Sequence, residues 1–155
     1  MEIERAGGRR GRASPDPTPM SKRNITRDNL NEARILVVDD EPMIAYALEE
    51  TLVEAGFEIA GVAGRVDQAL NIIDRGDCDA AIIDANLAGV SAAPVASALL
   101  AQSIPFIVIS GYSRDQQRGI FLGAPFVQKP CVPDDLIQAV RSLLVGGLVG
   151  VRLKI

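Results

Sequence analysis

Three carboxylates, one hydroxyl and one lysine stand where apolar runs stop. Ile35 to Val38 reads ILVV and breaks into Asp39-Asp40; Ala80 to Ile83 reads AAII and breaks into Asp84. Pro105 to Ile109 reads PFIVI and is followed by Ser110, and the short run Phe126 to Gln128 is followed by Lys129. Carboxylates brought close together repel and raise one another's pKa unless a cation intervenes. A hard divalent ion such as Mg2+ suits an all-oxygen site, keeps several waters and commonly takes phosphate oxygens as well. Lys129 adds positive charge, and it is the only lysine between Lys22 and Lys154. Ser110 adds a hydroxyl donor. A carboxylate nucleophile beside a metal, a lysine and a hydroxyl makes a site for phosphoryl transfer to aspartate. Taken singly, these residues have blander explanations. Asp39-Asp40 could cap the helix that follows, Asp84 could be a turn residue, and Ser110 and Lys129 could be ordinary loop residues. Their joint position at four strand ends, in the right chain order, is what argues for chemistry.

The elements that must position them follow from the same runs. Strands apolar on both faces are covered by helices on both sides, the mark of a parallel sheet. After Asp39-Asp40, Pro42 stands where a first helical turn tolerates proline. MIAYALEETLVEAG then has apolar residues at helical spacing, with Gly56 as C-cap. Phe57 to Val62 reads as a second strand, and Val66 to Arg75 as a second helix with Ala69, Ile72 and Ile73 on one face. A loop rich in small residues follows Asp84 and leads to a helix around Ala93 to Gln102. Arg114 to Leu122 is a poor helix, interrupted and flanked by Gly119 and Gly123. Pro133 to Leu144 closes the domain as an amphipathic helix, opened by Asp134 and Asp135, which favour a helix N-terminus. Strand and helix alternate five times. The expected fold is a doubly wound α/β sheet of five parallel strands in the flavodoxin-like order 2-1-3-4-5, with helices on both faces and right-handed crossovers. In that order strands 1 and 3 are neighbours about 4.8 Å apart. Their carboxylates then share the crevice at the carboxyl ends of the strands, where such sheets place their sites.

Length and composition narrow the class. The 155 residues are 48% hydrophobic, enough for one buried core, and only 4% aromatic, so that core is aliphatic. The absence of histidine excludes a Ser-His-Asp triad, histidine zinc ligation and a phosphohistidine carrier in this chain. Cys78 and Cys131 are too few for a disulfide framework. No run reaches the roughly 18 to 20 apolar residues of a membrane span, and the charged N-terminus shows no signal peptide. A cytoplasmic address without membrane contact is expected. Residues 1–34 carry eight basic and five acidic side chains, residues 35–155 eight and fifteen, so charges of +3 and −7 make up the net −4. An acidic body argues against nucleic acid as a partner. Residues 1–33 read as a disordered basic leader, 34–147 as the folded domain and 148–155 as a short tail. Met20 offers a second translation start. Leu143 to Val151 (LLVGGLVGV) is too rich in glycine to be a good helix and reads as a frayed tail or part of a weak homodimer interface.

With these residues in view, the chain from about Arg34 to Leu144 resembles the receiver domain of bacterial response regulators. The motifs that carry the resemblance are VVDDEP (Val37–Pro42), IIDANL (Ile82–Leu87), ISGY (Ile109–Tyr112) and FVQKP (Phe126–Pro130). The resemblance implies that Asp84 accepts the phosphoryl group, that Asp40 and Asp84 ligate Mg2+ with Asp39 in or near that shell, and that the backbone carbonyl of Asn86 completes the protein ligands. It gives Ser110 and Lys129 to the phosphoryl oxygens, makes the Lys129–Pro130 peptide cis, and puts Phe126 at the aromatic switch position. Asn86 and Tyr112 flank the phosphoryl pocket and are candidates for tuning dephosphorylation. A narrower resemblance, carried by Pro105, Phe106, Gly111 and Tyr112, is to the single-domain receivers called the FAT GUY group. This chain has Val108, Ile109 and Ser110 where that group has Phe, Ala and Thr. Many receivers carry proline four residues after the acceptor; here Ala88 stands there, which bears on loop geometry rather than chemistry.

The function this implies is that of a single-domain response regulator. A sensor histidine kinase or phosphotransfer protein offers a phosphohistidine, Asp84 takes the phosphoryl group, and Ser110 moves inward so that Phe126 turns inward behind it. Such a domain catalyses its own phosphorylation and dephosphorylation and acts on no separate metabolic substrate. Only eleven residues follow Leu144, which points to output through contact with a downstream protein, or to a phosphate shuttle or sink, by a monomer or weak homodimer. The alternative is a receiver-like protein-binding module that never uses phosphate. A haloacid-dehalogenase-type phosphatase would want an aspartate where Asn86 stands. A flavodoxin-like carrier would want a Ser/Thr-rich phosphate loop where this chain has DDEP.

Overall fold

The computed structural model describes residues 25–111, 119–121 and 123–149. Five strands form one parallel sheet: β1 (Arg34–Val38), β2 (Glu58–Ala63), β3 (Ala80–Asp84), β6 (Phe106–Ser110) and β7 (Phe126–Gln128). Two further short strands, β4 (Asn86–Leu87) and β5 (Val90–Ser91), pair antiparallel outside it. The sheet order is β2-β1-β3-β6-β7, which is the expected 2-1-3-4-5 arrangement. The helices are α1 (Pro42–Glu54), α2 (Val66–Asp74), α3 (Ala93–Ala101) and α4 (Pro133–Val149).

Alternation along each strand divides the core in two. Ile35 and Val37 of β1 join Ile82, Ile107 and Ile109 under the buried residues of α1 and α4. Leu36 and Val38 point the other way and join Ala81, Ile83 and Val108 under α2 and α3. Both faces of the strands are therefore apolar, as the unbroken runs required. Cys78 is a buried member of the second cluster, and burial pushes its thiol up to about 12, which keeps it inert near neutrality.

Four features depart from the sequence reading. First, folded structure begins before the boundary placed at residue 33. Ile25 is buried beside Leu143 and Leu144, and Arg27–Glu32 form a 3-10 turn capped by the Thr26 hydroxyl, which accepts from the Asp28 N–H at 3.3 Å. Six residues are too few to show a period, so only the cap pattern could have revealed them. Residues 1–24 lie outside the described residues. Second, α4 runs through Gly146 and Gly147 to Val149, two residues into the expected tail. Burial of Leu143 and Leu144 anchors it, against a glycine cost of about 1 kcal/mol each. Third, of the poor helix expected at Arg114–Leu122 the described part is a 3-10 turn, Gly119–Phe121; residues 112–118 and 122 lie outside the described residues.

Fourth, the loop after Asp84 holds the β4–β5 hairpin. Its turn places Ala88 at φ 54 and Gly89 at φ 86. Positive φ at both central residues is what a type I′ two-residue hairpin turn requires. Proline, locked near −65°, could not occupy Ala88 here. That accounts for the missing proline at this point of the chain.

The N-terminal turn supplies the first test. Ile25→Ala should destabilise the domain by about 2 kcal/mol, read as a lower urea midpoint at unchanged slope. An unchanged midpoint would show that Ile25 contributes nothing to the core.

Candidate functional site

The site grows out of the strand ends. β1 closes on Val38, and the next residue, Asp39, keeps the register by donating its N–H to the Ala63 carbonyl at 3.0 Å. β1 and β3 are hydrogen-bonded neighbours, as are β3 and β6, so Asp39, Asp84 and Ser110 emerge side by side. They are 2%, 6% and 3% exposed, and they are the buried polar or charged residues among the described residues. Lys129 follows β7 and ties its backbone N–H to the Ser110 carbonyl at 2.8 Å. The Lys129–Pro130 peptide is cis, as the resemblance implied.

The lysine ammonium is the hub. Lys129 Nζ donates to Asp84 Oδ2 at 2.8 Å and lies 3.1 Å from Asp39 Oδ2 and 3.6 Å from Glu41 Oε1. Burial alone would lower the Lys129 pKa; Asp84 and then Asp39 more than offset it, so the ammonium is held above its ordinary value. Asp39 shows the reverse balance. Burial dominates and raises its pKa, although the Glu41 N–H at 2.9 Å from Oδ1 and the nearby ammonium pull it down. Asp39 Oδ2 is fully buried, and the Lys129 ammonium 3.1 Å away is its ion-pair partner. Asp39, Asp40 and Asp84 each place a carboxylate oxygen within 4.8 Å of the others. An all-oxygen donor set with more carboxylates than the one ammonium can neutralise fits a hard divalent cation such as Mg2+.

The remaining predicted residues fall as follows. Asn86 donates its N–H to Asp84 Oδ1 at 3.1 Å, so its backbone adjoins that carboxylate. Its side chain turns away: Oδ1 accepts from the Gly89 N–H at 2.7 Å and stitches the hairpin turn. Phe126 is 7% exposed and belongs to the buried cluster with Val108 and Phe121, so the ring packs inward. Tyr112 lies outside the described residues. Sequence reasoning missed Glu41, whose only signal was its place directly after Asp39-Asp40.

The sequence profile of the response regulator receiver domain matches residues 35–141. The chain belongs to this family. It is similar to the transcriptional regulatory protein TcrA of Mycobacterium tuberculosis, 34% identical over 116 residues that make up 71% of this chain and 45% of TcrA. The chain spans about half the length of the curated relatives it matches. Among solved structures it is similar to SdrG from Sphingomonas melonis Fr1, at 40% identity and TM-score 0.65, covering 74% of this chain and 98% of SdrG. The BeF3-activated conformation of SdrG from Pseudomonas melonis Fr1 matches at 41% identity and TM-score 0.64, over 72% and 96%. Receiver domains serve two-component systems, interact with histidine kinases or phosphotransfer proteins and with downstream partners, and are generally Mg2+-dependent. Among the described residues no helix is long and apolar enough to cross a membrane.

The receiver's crowded carboxylates should be visible in its stability. Folded Asp39 holds its proton more tightly than unfolded Asp39, so its contribution makes stability fall as pH rises through the window above 3.8. Asp39→Asn lacks that component. In EDTA, the unfolding free energy of the variant relative to the native domain should therefore increase from about pH 4 toward neutrality. A difference that does not change with pH would refute the burial cost assigned to Asp39.

Proposed function

We propose that this receiver accepts a phosphoryl group on Asp84 from a phosphohistidine of a sensor kinase or phosphotransfer protein, with Mg2+ held by Asp39, Asp40, Asp84 and the Asn86 carbonyl. The observation that carries the reading is the buried Asp84 carboxylate bound to the Lys129 ammonium at 2.8 Å, with Asp39 and Asp40 each placing a carboxylate oxygen within 4.8 Å of it. A bound Mg2+ would supply Lewis-acid neutralisation of phosphoryl oxygen charge.

The chain's own residues do the rest. Lys129 and the backbone of Asn86 hold the Asp84 carboxylate so that one oxygen faces the donor. That oxygen bonds to phosphorus as the donor's P–N bond breaks, and the imidazole nitrogen keeps the electron pair. Lys129, fully charged near neutrality, then faces phosphoryl oxygen instead of a bare carboxylate. Ser110 stands on the neighbouring strand end, where its hydroxyl reaches the new group after a small movement. Filling that position favours the inward Phe126 already packed in the core, so phosphorylation acts as a population shift toward this form. Asn86 and Tyr112 tune hydrolysis of the acyl phosphate, Asn86 through the hairpin it holds. The similarity to a BeF3-activated SdrG supports an activatable domain.

The partner surface adjoins the site. A groove of about 450 Å3 between α1 and α4 is lined by Met43, Ile44, Leu48, Pro130 and Leu136, and Met43 and Val132 are largely exposed. This apolar rim suits a protein donor. Contact with a downstream protein, or phosphoryl traffic as a shuttle or sink, then provides the output of a cytoplasmic, single-domain regulator of the FAT GUY type.

Incubation with acetyl phosphate and Mg2+ should add one phosphoryl group by intact mass, and none in EDTA or in Asp84→Asn. Lys129→Ala should slow the addition by on the order of a hundredfold. A native domain that neither gains mass nor binds beryllofluoride would leave a phosphate-independent binding module as the function.

A further inference from the structure

Glu41 breaks a local rule. It holds the N-cap position of α1, where Ser, Thr, Asp or Asn would bond the first turn, yet its side chain makes no cap hydrogen bond. Its carboxylate reaches instead to within 3.6 Å of Lys129 Nζ, while remaining 60% exposed. Its backbone N–H is spent on Asp39 Oδ1. The residue thus joins Asp39 and Asp84 around one ammonium, but from the solvent side.

From this placement we infer that Glu41 is a donor-selecting residue: its charge opposes free, doubly negative phosphoryl donors and leaves Asp84 to donors delivered on a docked protein. The inference rests on the aspartyl-phosphate reading above and adds a specificity element to it. Two features of the site make the selection work. A rim charge acts mainly on association rate and on its salt dependence. A protein donor gains apolar contact over Met43 and Val132, which a small molecule cannot use to offset the repulsion. Glu41 also offers Lys129 an alternative partner, which lowers the time the ammonium spends poised for an incoming phosphate. Glu41 acts through charge on donor and lysine and takes no part in bond making. With acetyl phosphate, Asp84 oxygen bonds to phosphorus and acetate leaves with the electron pair of the broken P–O bond. With phosphoramidate, the P–N bond breaks and ammonia leaves.

The test compares the native domain with Glu41→Gln and Glu41→Asp, each at saturating Mg2+, by the second-order rate of mass gain. Acetyl phosphate is doubly negative near neutral pH and phosphoramidate singly negative. Glu41→Gln should react on the order of fivefold faster with acetyl phosphate at low salt, gain clearly less with phosphoramidate, and lose most of its advantage at high salt. Glu41→Asp, which keeps the charge, should stay close to the native rate. A Glu41→Gln rate equal to native with acetyl phosphate at low salt overturns the inference, as does an equal, salt-independent gain with both donors. A native domain that takes no phosphoryl group from either donor overturns the aspartyl-phosphate reading and this inference together. A labelled native domain with an indifferent Glu41→Gln overturns this inference alone.

Discussion

Everything at the carboxyl end of the sheet is arranged around the need to bury negative charge beside negative charge. Asp39 and Asp84 are almost wholly removed from water, and Lys129 is the cation the chain itself provides between them. One ammonium cannot neutralise the aspartates and Glu41 as well, so the cleft keeps a surplus of charge when no other cation is present. Such crowding costs stability. It persists because the strands beneath it are fixed by apolar packing on both faces. The aliphatic sheet is the rigid base that allows an unfavourable electrostatic arrangement to be held ready for use.

That division of labour explains what could be read from the sequence. Asp39, Asp84 and Ser110 were legible because each interrupts or follows a run with no other polar residue, and Lys129 because it is the only lysine between Lys22 and Lys154. Sheet order and the main helices followed from the same runs. What escaped notice depends on backbone geometry or on a single contact. The β4–β5 hairpin rests on Ala88 in a conformation that its residue type does not announce. The turn at Arg27–Glu32 is anchored by one isoleucine upstream. The glycines of α4 spoke for a break, and tertiary burial of the leucines before them overrode that local preference. Glu41 was hidden because adjacency to two aspartates makes a third acid look like mere surface.

The hairpin also changes the meaning of Asn86. From its place two residues after Asp84, the sequence suggests a residue that flanks the site. In the fold its amide is engaged with Gly89, and its backbone alone faces Asp84. Its influence on the site is therefore geometric: it fixes the peptide that holds one Asp84 oxygen, through a turn that needs positive φ at positions 88 and 89.

The two faces of the sheet are not equally close to the charged end. On one face, α1 begins at Pro42, two residues after Asp40, and α4 begins at Pro133, four after Lys129. On the other, α2 follows a strand that carries no site residue, and α3 is reached only across the hairpin. The α1–α4 side is thus joined to the charged end over a few covalent bonds, while the α2–α3 side meets it through Phe126, which is buried in that side's core. The two faces therefore differ in kind: one is tied to the charged end by its own chain, the other by the packing of a single aromatic ring.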